Sequence, residues 1–139
     1  MPYREKIAWL SSAAILLAYI PYFGLTLASA SASMPDLRQL GLFAITTFVQ
    51  LSILGAGHLY LRRGAPEEAR MPPDERDRAI IYQSMSYGYY CLIAGMIVVG
   101  GVMPFFTGGW SIVNAAFFMI VGSELVHNSV VIYRYRKQA

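Results

Sequence analysis

The chain is 139 residues long and 56% hydrophobic, with 11 Lys and Arg against 8 Asp and Glu for a formal charge of +3. That composition is too apolar for an ordinary soluble fold, and the length suits one domain. The single cysteine, Cys91, excludes an intramolecular disulfide and a Cys-x-x-Cys redox relay.

Arg4 and Lys6 precede an apolar run that predicts a first helix at about 7–27. With Ala28-Ser29-Ala30-Ser31-Ala32 behind it, the run imitates a secretory signal and its cleavage site. Its length, roughly 20 residues against about 7–15 for a signal core, and the presence of Pro21 favour a retained spanning helix. A loop around Ser29 to Gln39 turns at Pro35-Asp36. The second helix is expected at about 40–61, followed by an Arg-rich loop over 62–78. A third helix, about 79–104, ends or kinks at Pro104. After the short turn Phe106-Thr107-Gly108-Gly109, the fourth helix takes about 110–133, followed by Arg134, Arg136 and Lys137.

Ten of the eleven cations fall before the first helix, between the second and third, or after the fourth; only Arg38 lies on the other side. This alternation predicts an all-α integral membrane four-helix bundle, made of two antiparallel hairpins with both termini in the cytoplasm. The expected location is a bacterial inner membrane, crossed several times. The basic flanks read as topological anchors against anionic lipid, and not as a nucleic-acid footprint. Tyr3, Trp9, Tyr60, Trp110, Tyr133 and Tyr135 fall where an interfacial aromatic belt would place them.

Within the cytoplasmic loop, Pro72-Pro73 followed by Asp74 marks a helix start. Asp74 is placed to cap, Asp77 stands three positions on, and Asp74 can pair with Arg78. The motif Asp74-Glu75-Arg76-Asp77-Arg78 therefore has a structural explanation, with a docking patch for a cytoplasmic partner as the functional one.

Glu124 is the one acid inside the apolar runs, about 13 Å from the cytoplasmic boundary. A carboxyl at that depth is costly and points to function. Asn114, Phe117, Val121, Glu124 and Asn128 form one helical stripe, with His127 beside it. Gln50, Tyr87 and Tyr90 lie at matching depth on the neighbouring helices. We therefore expect an intramembrane polar cluster of Gln50, Tyr87, Tyr90, Asn114, Glu124, His127 and Asn128. It would serve either as interhelical glue or in proton coupling or ligand binding. Glu124-x-x-His127 has di-iron spacing but lacks the second motif and further acids. His58 and His127 alone do not argue for haem. Neither a cofactor nor a metal is expected. The pairs Ala14/Ala18, Ser84/Gly88 and Cys91/Gly95 and the run Gly55-Ala56-Gly57 permit close helix approach.

Glu5-Lys6-x-x-Trp9, Tyr19-x-x-Tyr22-Phe23, Asp74-Glu75-Arg76-Asp77-Arg78-x-Ile80, then Asn114, Glu124 and Tyr135-Arg136 run the length of the chain in that order. The series resembles a family of small bacterial inner-membrane proteins, a domain of unknown function. That family has four helices and a cytoplasmic Asp-Glu-Arg-Asp/Glu motif before the third. Its members often end in Arg-Arg-Gly, where this chain has Tyr135-Arg136-Lys137. The resemblance implies a helix-turn-helix regulator as a partner, and Asp74, Glu75, Arg76, Asp77 and Glu124 as the residues to test. It implies no reaction.

No side chains suggest a nucleophile with an orienting base, so no enzyme is expected. The leading expectation is a regulatory or interaction protein that meets a cytoplasmic partner through the 62–78 loop and the basic tail. The alternative is an oligomeric proton-coupled transporter using Glu124. The expected partners are thus the lipid bilayer, a cytoplasmic protein and a second copy of the chain.

Overall fold

The computed structural model describes residues 1–28 and 37–137, and among these it is all helix and turn. The helices are α1 (Tyr3–Ala28), α2 (Leu37–Gly64), a short α3 (Pro66–Arg70), α4 (Glu75–Ile97) and α5 (Trp110–Lys137). Four stretches are long and apolar enough to cross a membrane: α1, α2, α4 with its continuation to Phe105, and α5. The Pro35-Asp36 turn and the small-residue stretch at 29–32 lie outside the described residues.

The helices overrun the apolar stretches that announced them. α1 begins at Tyr3, α2 runs to Gly64 and α5 to Lys137. Hydropathy marks bilayer thickness, whereas the backbone ladder continues wherever side chains favour it, and Arg, Lys and Glu are good helix formers. The 62–78 segment is accordingly only partly a loop: it contains the end of α2, all of α3 and the start of α4.

Pro104 acts earlier than a simple stop. It lacks the N–H that would bond the fourth carbonyl back, and Gly100-Gly101 precede it. The ladder widens to a π turn over Val98–Val102, then tightens to a 3-10 turn over Met103–Phe105. Gly109 closes the reversal at φ 59, which a residue with a Cβ adopts poorly.

The long helices pack in the order α2, α1, α5, α4, so α2 and α4 are the outer members with at most marginal contact. Leu10 lies against Gly57 and Tyr22 against Phe43, so α1 and α2 run in opposite directions. Gly88 meets Ser123 and His127, and Gly95 meets Met119, so α4 and α5 also oppose each other. The starts of α1 and α4 and the ends of α2 and α5 therefore share one end of the bundle. That end carries ten of the eleven cations, and Arg38, in the first turn of α2, is at the other.

Two buried clusters hold the row together. Ala8, Ile80, Val131 and Tyr135 lie near the basic end. Ile15, Ala18, Tyr19 and Tyr22 lie farther along, flanked by Leu42, Phe43, Val121 and Leu125. An aromatic seam continues from the second cluster, with Phe43 stacked on Phe117 at 4.1 Å and Phe23 edge-on to Phe118 at 5.3 Å. The expected small residues do let helices approach. Ala14, Ala18, Ser84, Gly88 and Gly95 are buried, and a Cβ on Gly57 would collide with Leu10. Gly55 faces open space and takes no part.

The surface inverts the usual distribution. No residue of α2 is buried, and Leu17, Leu27, Phe48, Phe105 and Phe106 are each at least two-thirds exposed. Exposed apolar area on this scale needs a covering medium.

Candidate functional site

At the basic end, the Asp-Glu-Arg-Asp-Arg motif splits into residues that bind the bundle and residues that face outward. Asp74 has extended backbone geometry (φ −72°, ψ 178°) and precedes the first turn of α4. Its Oδ1 accepts the Asp77 backbone N–H at 2.6 Å, satisfying one of the orphan donors of the helix start. The cap turns Asp77 inward, where its carboxylate accepts from two other segments. Arg4 Nε donates to Oδ2 at 3.0 Å, and the Tyr135 hydroxyl donates to Oδ1. One side chain thus joins the starts of α1 and α4 to the end of α5.

A second ionic contact closes the same end. Glu5 is 95% buried by its 5% exposure, and its Oε1 accepts from Arg136 Nε at 3.3 Å. The Arg136 guanidinium also lies 5.2 Å over the Trp9 ring, a cation–π placement. Arg4 Nη2 reaches the Met71 carbonyl at 3.4 Å, steering the segment between α3 and α4. A charge as buried as Glu5 is tolerable only with such a partner.

Around this frame Glu75, Arg76 and Arg78 are exposed, as are Glu67, Glu68 and Arg70 of α3 and Arg62 and Arg63 at the end of α2. The resulting surface is rich in both signs of charge. The expected Asp74–Arg78 pair does not form; Asp74 caps instead, and Arg78 donates only its backbone N–H to the Asp74 carbonyl at 3.0 Å.

The expected intramembrane cluster does not assemble among the described residues. Tyr87 and Tyr90 are 50% and 68% exposed, and Tyr90 meets Tyr89 edge-on at 5.8 Å. Glu124 is exposed, and Gln50 is half-buried; neither side chain has a hydrogen-bond partner among the described residues. Asn128 is buried, but its amide donates to the Glu124 backbone carbonyl at 2.9 Å and to no other helix. Asn114 does bridge helices, accepting from the Tyr22 hydroxyl at 2.9 Å. His127 packs against Gly88 with Nδ1 buried and unpartnered among the described residues. The correction has a geometric cause. Equal depth places residues in one layer, but their rotation about each helix decides whether they meet.

Two residues expected in the aromatic belt are covered by protein. Trp110 and Tyr135 are buried, at 7% and 2% exposure, and Tyr135 packs with Ala8, Ile80 and Val131 where α1, α4 and α5 meet. The sequence reading missed Arg4, Glu5 and Arg136 as binding partners. The available signal was Glu5 itself, an acid set into an otherwise basic flank. Among the described residues, no three His, Cys, Asp or Glu side chains group to hold a metal ion.

No family model, curated protein or solved structure matches the chain.

Proposed function

We propose that the protein is a small multi-pass protein of a bacterial inner membrane, with both termini and the 62–78 segment in the cytoplasm. There it acts without catalysis, as a regulatory or interaction protein that docks a cytoplasmic partner. The exposed apolar surface supports embedding in lipid, and the collection of ten cations at one end supports the orientation. The resemblance to small four-helix inner-membrane proteins points the same way.

One observation carries the docking reading. Asp77 ties three chain segments together, so the charged residues of α3 and the first turn of α4 stand on a fixed frame instead of a floppy loop. A preorganised surface loses less entropy when it binds. Crosslinking with mass spectrometry from native membranes tests this on three chains: wild type, Glu67→Lys with Glu68→Lys, and Asp77→Ala. A protein captured by wild type should be lost in the first variant, which leaves the frame intact, and weakened in the second. Capture indifferent to both overturns the reading.

A second reading rests on Glu124, whose carboxylate is exposed and, among the described residues, unpartnered halfway along a membrane-length helix. Such a group suits proton coupling in an oligomeric transporter. Proton flux into proteoliposomes should then collapse in Glu124→Gln; unchanged flux removes it.

A further inference from the structure

The end of the bundle opposite the ionic frame holds a partly open cavity of about 820 Å³. It lies between the end of α1, the first turn of α2, the turn at Thr107–Gly109 and the first turns of α5. Its size falls within the range of small-molecule sites. Phe23, Leu27, Trp110 and Phe118 give it an aromatic and aliphatic wall, while Gln39 and Asn114 supply polar groups. Among the described residues, none that lines it carries a formal charge.

Two polar atoms of that wall are unsatisfied. Trp110 is 7% exposed, and its indole Nε1 has no hydrogen-bond partner among the described residues. Gln39 Oε1 is likewise buried without one. One is a donor, the other an acceptor, and buried polar groups are normally paired. Both residues line the cavity, so a ligand held there lies beside them. The Asn114 Oδ1 is already engaged, accepting from the Tyr22 hydroxyl, and so is not the acceptor for Trp110 Nε1–H.

We propose that this cavity binds an uncharged, lipid-soluble aromatic compound bearing a hydroxyl group. The rings of the wall take the aromatic body by edge and face contact. The hydroxyl oxygen accepts from Trp110 Nε1–H, and its proton is donated to Gln39 Oε1. A charged ligand is disfavoured, since no described residue of the wall would neutralise it on leaving water. This site is separate from the docking surface and stands or falls independently of it.

Equilibrium binding of radiolabelled 1-naphthol and naphthalene to the full-length protein in lipid nanodiscs tests the proposal, with empty nanodiscs correcting for partition into lipid. The protein should show one saturable site, with 1-naphthol held about tenfold tighter than naphthalene. Gln39→Leu and Trp110→Phe should each weaken 1-naphthol about three- to tenfold and leave naphthalene unchanged. Ala115→Leu, which fills the cavity, should abolish saturable binding of both. Circular dichroism confirms that each variant is folded, and Gln39, in the first turn of α2, is the position whose change perturbs packing least. Absence of a saturable component, equal affinity for the two probes, or indifference to all three substitutions overturns the assignment.

Discussion

Asp77 accepts with both carboxylate oxygens, from Arg4 and from Tyr135, so truncating it leaves two donors without a partner. Because the Arg4 and Asp77 side chains keep 31% and 21% exposure, water screens part of the ion pair. Asp77→Ala should lower the unfolding free energy by about 2 kcal/mol, and Tyr135→Phe by about 1 kcal/mol. Glu75→Ala, in the same motif but facing outward, should change it by less than about 0.5 kcal/mol. Unfolding in mixed micelles, followed by circular dichroism, ranks the three. If the motif were uniformly a docking patch, the ranking would disappear. Glu124→Gln should likewise leave stability within about 0.5 kcal/mol, because the carboxyl is exposed and has no hydrogen-bond partner among the described residues. The cap at Asp74 was legible in the sequence, since it depends only on neighbours three positions away. The partners of Asp77 were not, because Arg4 and Tyr135 stand 73 and 58 residues off.

Between α4 and α5, close approach depends on glycines whose missing side chains are occupied by the other helix. A Cβ at Gly88 would stand 3.2 Å from the Ser123 carbonyl oxygen and 3.2 Å from the His127 Cβ. Neither group can swing aside as a flexible tip could, so the facing backbone must give way slightly. Gly88→Ala should cost about 1–3 kcal/mol, and Gly88→Leu should disrupt the pair. Gly55→Ala should be neutral or stabilising by up to about 1 kcal/mol, since nothing lies within 4 Å and alanine is the better helix former. Thermal melts of the three variants separate packing glycines from idle ones. Both glycines sit in small-residue runs, and the sequence pattern alone did not distinguish them. Spacing reports which residues share a face, while the identity of the facing helix comes from the fold.

Viewed whole, the bundle is a row with α2 and α4 outermost, and its two ends differ in charge. Single cysteines introduced into a Cys91→Ala background report which end faces which compartment. Residues in 62–78 and near both termini should react with an impermeant thiol reagent only from inside. Positions beside Arg38 should react only from outside. Labelling of the two termini from opposite sides would contradict the proposed orientation. The same row explains why Gln50 on α2 stays apart from Tyr87 and Tyr90 on α4.

Helix number, approximate span and the segregation of charge were determined by the sequence alone, because each follows from local composition. Twenty apolar residues in succession have one low-energy backbone in lipid, and cations resist crossing it. Which helices touch, which tyrosines are buried and which acid holds the bundle together were decided only by the tertiary structure. Those outcomes depend on each helix's rotation and on its order in the row. Strings as uniformly apolar as these constrain neither, since lipid and a neighbouring helix are equally acceptable surroundings for a leucine.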